Sequence, residues 1–333
     1  MQLLSDAEPN VVSALRYKLF LKLTHLGFYA RMEDERYLKL LYRAVTGRPL
    51  HLDPPVLFSE KVQWLKLNDK NPIYPQFCDK IAVREFVRGR IGDEHLIAQY
   101  GIWDDPDRID FSALPNRFVL KCTHDSGSAI VCRDRASFDI DAAKRLLKKR
   151  LRKDYSIAGR EWPYHLVPRR VIAEEFIGGA DSSAPDDYKF YCVRGKMLWV
   201  CICTNRRQKD VDYYLVDREY RPFWTSVLQD GRPCGVLPAM PPRFAEMIAL
   251  SEQLAEGFLH VRVDLYDTQR GIRFGEMTLY DQSGFIPEYT EEFDRLLGGL
   301  VNLQEEAPES AQARADALDK LRNLYLYQSA NGQ

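Results

Sequence analysis

Several features of other protein classes are missing from this chain. No apolar run is long enough to cross a bilayer, which excludes a transmembrane helix, and the N-terminus lacks a signal-peptide pattern. The seven cysteines (Cys78, Cys122, Cys132, Cys192, Cys201, Cys203 and Cys234) form no C-x-x-C pair, and their number is odd. That pattern argues against a zinc site or a closed disulfide framework and fits reduced thiols. A surplus of either charge is also lacking: 47 Lys and Arg against 48 Asp and Glu leave a formal net charge of −1. A general nucleic-acid binder needs a basic excess to neutralise phosphates, so no nucleic-acid partner is expected. Internal repeats and low-complexity stretches are absent as well. These absences predict a cytoplasmic protein.

What remains is ordinary globular material, 45% hydrophobic and 29% charged, in 333 residues, enough for two or three lobes. Residues 1 to about 50 read as helical, with a linker at Leu52-Asp53-Pro54-Pro55. Between Val11 and Arg31 the chain carries Arg16, Lys18, Lys22 and Arg31 but no acid, interleaved with leucines, Phe28 and Tyr29. Such a helix either packs its apolar stripe on the body of the protein or lies on an anionic membrane surface. Phe58 to Leu67 reads as a helix with Ser59 as its N-cap, and further helices are predicted over Asp79 to Arg90, Phe138 to Lys153 and Arg243 to Glu256. Strands are predicted at Phe118–Lys121, Ile130–Cys132 and Val171–Ile177, the last breaking at Gly178-Gly179. Tyr188–Val193, Lys196–Thr204 and Val211–Val216 follow as consecutive strands, the first two joined at Arg194-Gly195. Strands joined by short turns and mixed with helices favour an α+β architecture over a doubly wound parallel sheet.

Chemistry concentrates in Val261 to Phe285. Val261–Tyr266 and Ile272–Tyr280 alternate like strands around turn residues 267–271, and a hairpin turning about Arg270 pairs Asp264 with Glu276 and Arg262 with Thr278. All four side chains then share one face. Two opposed carboxylates must share a proton, find a cation or bind a metal, and Mg²⁺ suits oxygen ligands of this kind. Because like charges repel, removing either carboxylate is expected to leave stability unchanged or raised; a solvated face with Arg262 neutralising Asp264 is the plainer reading. Upstream, Lys121 ends an apolar strand before His124-Asp125-Ser126-Gly127-Ser128, a loop whose backbone N–H groups could cradle phosphate. Lys189 begins another strand in Asp187-Tyr188-Lys189-Phe190. Glu174-Glu175-Phe176-Ile177 ends a strand before glycines, as a hinge would.

Taken in order, these pieces resemble the ATP-grasp superfamily, and more closely its TupA-like branch. The matching residues are Phe58-Ser59-Glu60-Lys61 with Gln63-Trp64-Leu65-Lys66-Leu67, Asp79-Lys80, Phe118 to Cys122 with His124 and Gly127, and Ile172 to Phe176. They continue through Asp187 to Phe190, Val261 to Tyr266 and Phe274 to Thr278, so the likeness covers about residues 45–300. The resemblance implies an ATP-grasp fold in which two α+β lobes hold ATP between antiparallel sheets. Its divisions would be an N-terminal helical extension (1–57), a helical subdomain (58–113), a small lobe (114–177), a C-terminal lobe with the metal site (178–303) and a helical tail (304–333). Lys121 and Lys189 would grip the phosphates under a loop formed by His124, Ser126, Gly127 and Ser128. Glu174, Glu175, Phe176 and Ile177 would read adenine, largely through backbone, and Asp187 is a candidate ribose contact. Asp264 and Glu276 would hold Mg²⁺ and Arg262 would stabilise the transferring phosphoryl group. Thr278 stands where the wider superfamily often has Asn, which leaves its share in the metal site open.

The resemblance further implies an ATP-dependent carboxylate–amine ligase working through an acyl phosphate. The family's association with teichuronopeptide synthesis points to a uronic acid or acidic peptide as the carboxylate, an amine as co-substrate, and a place in capsule or surface polysaccharide synthesis. Two other readings stay open: a glycosyltransferase, for which no clear Asp-x-Asp motif ends a Rossmann-like strand, and a nucleotide-binding protein without chemistry.

Overall fold

The computed structural model describes residues 11–178, 185–205, 211–225, 236–286, 289–303 and 309–330. Gly179 of the predicted hinge, Cys234 and the acidic start of the tail at 304–308 lie outside the described residues. Ten helices are described: α1 (Val11–His25), α2 (Asp34–Thr46), α3 (Phe58–Asn68), α4 (Tyr74–Cys78), α5 (Val83–Ile91), α6 (Ile140–Leu151), α7 (Ser156–Gly159), α8 (Phe244–Ala255), α9 (Glu291–Leu300) and α10 (Glu309–Ala330).

Two antiparallel sheets organise the molecule. The smaller runs β1-β4-β2-β3, from Gln99–Trp103 (β1), Phe118–Cys122 (β2), Ile130–Cys132 (β3) and Val171–Glu175 (β4). The larger runs β10-β9-β5-β6-β7-β8, from Asp187–Val193 (β5), Lys196–Thr204 (β6), Asp212–Val216 (β7), Pro222–Thr225 (β8), His260–Thr268 (β9) and Gly271–Thr278 (β10). The fold is therefore α+β. β5, β6 and β9 are covered on both faces, so their sequences are nearly continuous apolar runs without clean alternation.

Each sheet has its own core. Phe118, Leu120, Val171 and Ala173 of the small sheet close over Leu147 of α6, with Phe111 and Phe118 against Phe138. The large sheet shares a core with α3, α4, α5, α8 and α9 through Phe58, Val62, Phe77, Val87, Met247 and Leu297. A third cluster joins Phe20 of α1 to Tyr37, Leu38, Leu41 and Tyr42 of α2. The six described cysteines are buried and free.

Ser59 is not the N-cap of α3; Leu57 is. Glu60 reaches back to accept from the N–H groups of Leu57 and Val56, both at 3.0 Å, and so satisfies donors at the helix start. Ser59 is turned instead to Asp294 of α9, which accepts from its N–H at 2.9 Å and from its hydroxyl. That partner lies 235 residues away in sequence, beyond any local capping rule.

Candidate active site

The β9–β10 hairpin delivers the predicted pairs, by a different route. Glu276 faces Asp264 and Thr278 faces Arg262, but Gly271 pairs with Thr268 and Phe274 with Leu265, so the two-residue turn is Gln269-Arg270. A bulge at Gly275 inserts the extra residue that restores the pairing beyond it. A Cβ on Gly275 would stand 2.9 Å from Tyr266 and 3.1 Å from the Asp264 carbonyl oxygen, so glycine is what the bulge accommodates.

The opposed carboxylates meet a cation. Arg262 Nε and Nη2 donate to the two Asp264 oxygens at 2.6 and 2.7 Å, and Nη2 also donates to Glu276 Oε1 at 2.7 Å. Lys189, across the ladder on β5, donates to Asp264 and, at 2.7 Å, to Asp187. Asp264 and Arg262 are buried, so the face is not solvated. Burial alone would weaken the hold of Arg262 and Lys189 on their protons. The surrounding carboxylates outweigh it and keep both far more basic than usual. Burial likewise pushes Glu276 up, yet Arg262, with Lys189, Lys80 and Lys121, holds its carboxyl at about 2. Those four cations come from both sides of the space between the sheets.

On the small-sheet side, Lys121 donates to Glu174 Oε2 at 2.8 Å, and Arg84 approaches the other oxygen of Glu174. Of the four residues predicted as a hinge, only Phe176 and Ile177 lie outside the strand. β4 is flanked by β1 and β2, which consume the Glu174 backbone, and the Glu175 N–H donates to Ala98 O at 2.8 Å. Phe176 and Ile177 lie past the ladder, with the Arg117 guanidinium 4.4 Å over the Phe176 ring. In the loop, His124 is buried with Nε2 against Lys153 O at 3.1 Å, and Ser128 is buried against Asp125 and the Cys122 N–H. Ser126 and Gly127 are exposed at the loop tip, where Gly127 has φ +73°. Thr278 Oγ1 lies 3.3 Å from Glu276 Oε1. Asp187 is buried beneath Lys189, so its placement is that of a partner to the lysine.

A cavity of about 950 Å³ opens beside these groups, with Lys80, Ser126, Lys189, Arg262 and Glu276 in its wall. The same wall includes Asp281, which the sequence did not single out, while Lys80 and Lys66, marked only by the family resemblance, take contacts that the sequence did not assign. Asp281 accepts from Arg262 and from the Tyr191 hydroxyl; it lies just past the end of β10, where strand periodicity no longer assigns a face. Lys80 donates to the Asp125 carbonyl and so ties α4 and α5 to the loop. Buried Lys66 donates to Ser283 O and Oγ at 2.8 and 2.7 Å, pinning a turn in which Gln282, Ser283 and Gly284 all have positive φ. Burial pulls Lys66 down to about 8 and pushes the buried carboxyl of Glu161 up. Nothing local marks Glu161, and only the family resemblance marks Lys66, because the contacts of Lys66 join segments 217 residues apart.

Among the described residues no group of three His, Cys, Asp or Glu is arranged to hold a metal. Mg²⁺ does not require one, since phosphate and water complete a shell begun by one or two carboxylates. Glu276 Oε2 accepts no hydrogen bond among the described residues, and Glu276 and Thr278 both belong to the cavity wall, the Thr278 hydroxyl lying beside Glu276 Oε1. Both Asp264 oxygens are engaged by cations. The donor set fits Mg²⁺ held chiefly through Glu276 and nucleotide phosphate.

A family model described as TupA-like ATP-grasp matches residues 60–302. No curated protein matches the chain. Among solved structures, the chain is similar to an N5-carboxyaminoimidazole synthetase from Staphylococcus aureus at 10% identity and TM-score 0.37, covering 61% of this chain and 44% of that one. It is similar to a D-alanine–D-alanine ligase from Bacillus anthracis at 12% identity and TM-score 0.35, covering 72% and 66%. A third likeness is to an L-amino acid ligase from Bacillus licheniformis at 11% identity and TM-score 0.41, covering 76% and 57%. The chain thus spans about half to two thirds of the length of the solved structures it matches.

Proposed function

The chain belongs to the TupA-like ATP-grasp family, and from that premise we propose that it is an ATP-dependent ligase joining a carboxylate to an amine. The carboxylate is a uronic acid or an acidic peptide in capsule or surface polysaccharide synthesis, and the enzyme works in the cytoplasm at the inner face of the envelope. The observation that carries this reading is the convergence of Lys80, Lys121, Lys189 and Arg262 on Glu276 beside a cavity large enough for a nucleotide and a second substrate.

In this reading the substrate carboxylate oxygen attacks the γ-phosphorus of ATP, the bond to the β–γ bridging oxygen breaks, and ADP leaves. The amine then attacks the acyl carbon, phosphate departs, and the amine's proton passes to solvent. Lys121 and Lys189 bind phosphate oxygens, each exchanging a carboxylate partner for them, and Arg262 neutralises charge on the phosphoryl group in transfer. Ser126 and Gly127 supply exposed backbone donors, and Phe176 and Ile177 face adenine. Mg²⁺, held by Glu276 with Thr278, would neutralise phosphate charge when bound.

The test is the nucleotide product. With ATP, Mg²⁺, hydroxylamine and either glucuronic acid or a glutamate-rich peptide, chromatography is expected to find ADP, and the acyl phosphate is expected to be trapped as a hydroxamate. AMP as the product would end the acyl-phosphate mechanism. Consumption of a UDP-sugar with ATP untouched would favour a glycosyltransferase.

A further inference from the structure

We propose that α1 and the turn after it dock on an anionic lipid bilayer. The helix is apolar on two sides. Its inner side is fixed to the body: Phe20 and Thr24 are buried, Phe20 stacks on Tyr29, and Thr24 Oγ1 lies 3.1 Å from the Tyr37 hydroxyl, which donates to Ala158 O. Its outer side is bare. Leu15, Leu19 and Leu26 are 67%, 57% and 72% exposed and, with Lys22 between them, recur at intervals of four, three and four residues along one face. The Leu26 N–H still bonds Lys22 O at 3.0 Å, so the face continues past the last helical residue towards Phe28, which is 73% exposed.

Charge identifies the occupant. Arg16, Lys18, Lys22 and Arg31 border this surface, no Asp or Glu occurs between residues 11 and 31, and these four cations make no ion pair among the described residues. Of the acids that follow, Asp34 and Glu35 are engaged by Arg160 and Lys39, and the exposed Glu33 makes no ion pair with these cations among the described residues. Leucines and a phenylalanine flanked by unpaired lysine and arginine match a lipid surface whose headgroups are negative and whose acyl region begins just beneath them. A protein partner would need matching acids and a shaped groove, and the exposed side chains form a convex ridge on a helix. Tyr17 and His25 of the same segment also line the cavity, so docking brings the cavity wall to the bilayer. An acceptor carried on a lipid could then enter without leaving the membrane; that consequence rests on the ligase reading, whereas the docking does not.

Sedimentation of the whole chain with vesicles, without nucleotide, tests the docking separately from any ligase assay. Vesicles of equal parts phosphatidylcholine and phosphatidylglycerol are expected to pellet the protein, increasingly less so as salt screens the charges. Phosphatidylcholine alone is expected to pellet little. Leu19→Glu/Leu26→Glu is expected to weaken binding by about tenfold or more while leaving the melting temperature unchanged, since both side chains are exposed. A separate Lys18→Glu/Lys22→Glu variant should remove the preference for the anionic vesicles. The proposal is overturned by failure to bind anionic vesicles, by equal binding to both compositions, or by unchanged binding of the leucine variant. A lipid-independent dimer abolished by the leucine variant would also overturn it, because the face would then belong to a second copy of the chain.

Discussion

Asp264 and Glu276 look equivalent in the sequence but occupy different environments. Asp264 is buried against Arg262 and Lys189, so Asp264→Asn leaves two cations short of a partner instead of relieving repulsion. We predict a stability loss of about 3 kcal/mol, measured by urea unfolding, together with lost turnover. Glu276 keeps 38% of its side chain exposed, so Glu276→Gln is expected to change stability by less than about 1 kcal/mol while Mg²⁺-dependent turnover falls at least ~100-fold. Equal stability of Asp264→Asn and wild type would show that the ion cluster contributes nothing to the fold. For Lys121→Ala we expect weaker ATP binding by titration calorimetry with a small change in melting temperature. Unchanged affinity with a lowered melting temperature would mark the Lys121–Glu174 pair as purely structural.

At the scale of elements, the joint between α3 and α9 makes the sharpest demand on residue choice. Lys61 donates to the Gly298 and Val301 carbonyls, both at 2.6 Å, and so satisfies acceptors at the C-terminal end of α9. Gly298 lies where a Cβ would overlap the Val56 carbonyl oxygen and stand 2.9 Å from the Phe58 nitrogen, and both obstacles are backbone. Gly298→Ala is therefore expected to destabilise by about 2 kcal/mol or more despite alanine's better helix propensity. Gly299→Ala, whose Cβ meets only the Ala317 side chain at 3.4 Å, should stay within about 1 kcal/mol of wild type. Thermal melts of the two variants side by side check the assignment, and similar melting temperatures would refute it. The hairpin teaches a related lesson: the pairing of Asp264 with Glu276 was legible, but the bulge that achieves it was not, since Gly275 reads equally well as a strand glycine.

The molecule as a whole should be acid-sensitive through a buried imidazole. His260 is buried; burial lowers it from 6.5 to about 4, and its bond to Leu279 O offsets only part of that. The unfolded chain takes up a proton near 6.5 that the folded protein accepts only near 4. The contribution is thus complete above 6.5 and is lost as pH falls through 4, in total about 3 kcal/mol. His260→Gln should flatten the pH dependence of unfolding across that window; an unchanged slope would mean that another group titrates there.

The sequence by itself determined the α+β class, the antiparallel run of β5, β6 and β7, the order of the site-bearing segments and the shared face of Arg262, Asp264, Glu276 and Thr278. Each follows from a period, a turn or a spacing carried by neighbouring residues. Tertiary structure alone decided that Asp281 completes the Arg262 cluster, that Ser59 answers to Asp294 and not to its own helix, that Lys66 is buried against Ser283, and that β1 and β2 flank β4 and pair with Glu174. It also decided that α1 buries Phe20 and leaves Leu15, Leu19 and Leu26 bare. The physical reason is common to all of them: a local period tells which side of an element a residue occupies, whereas burial and charge pairing depend on what a distant segment brings to that side.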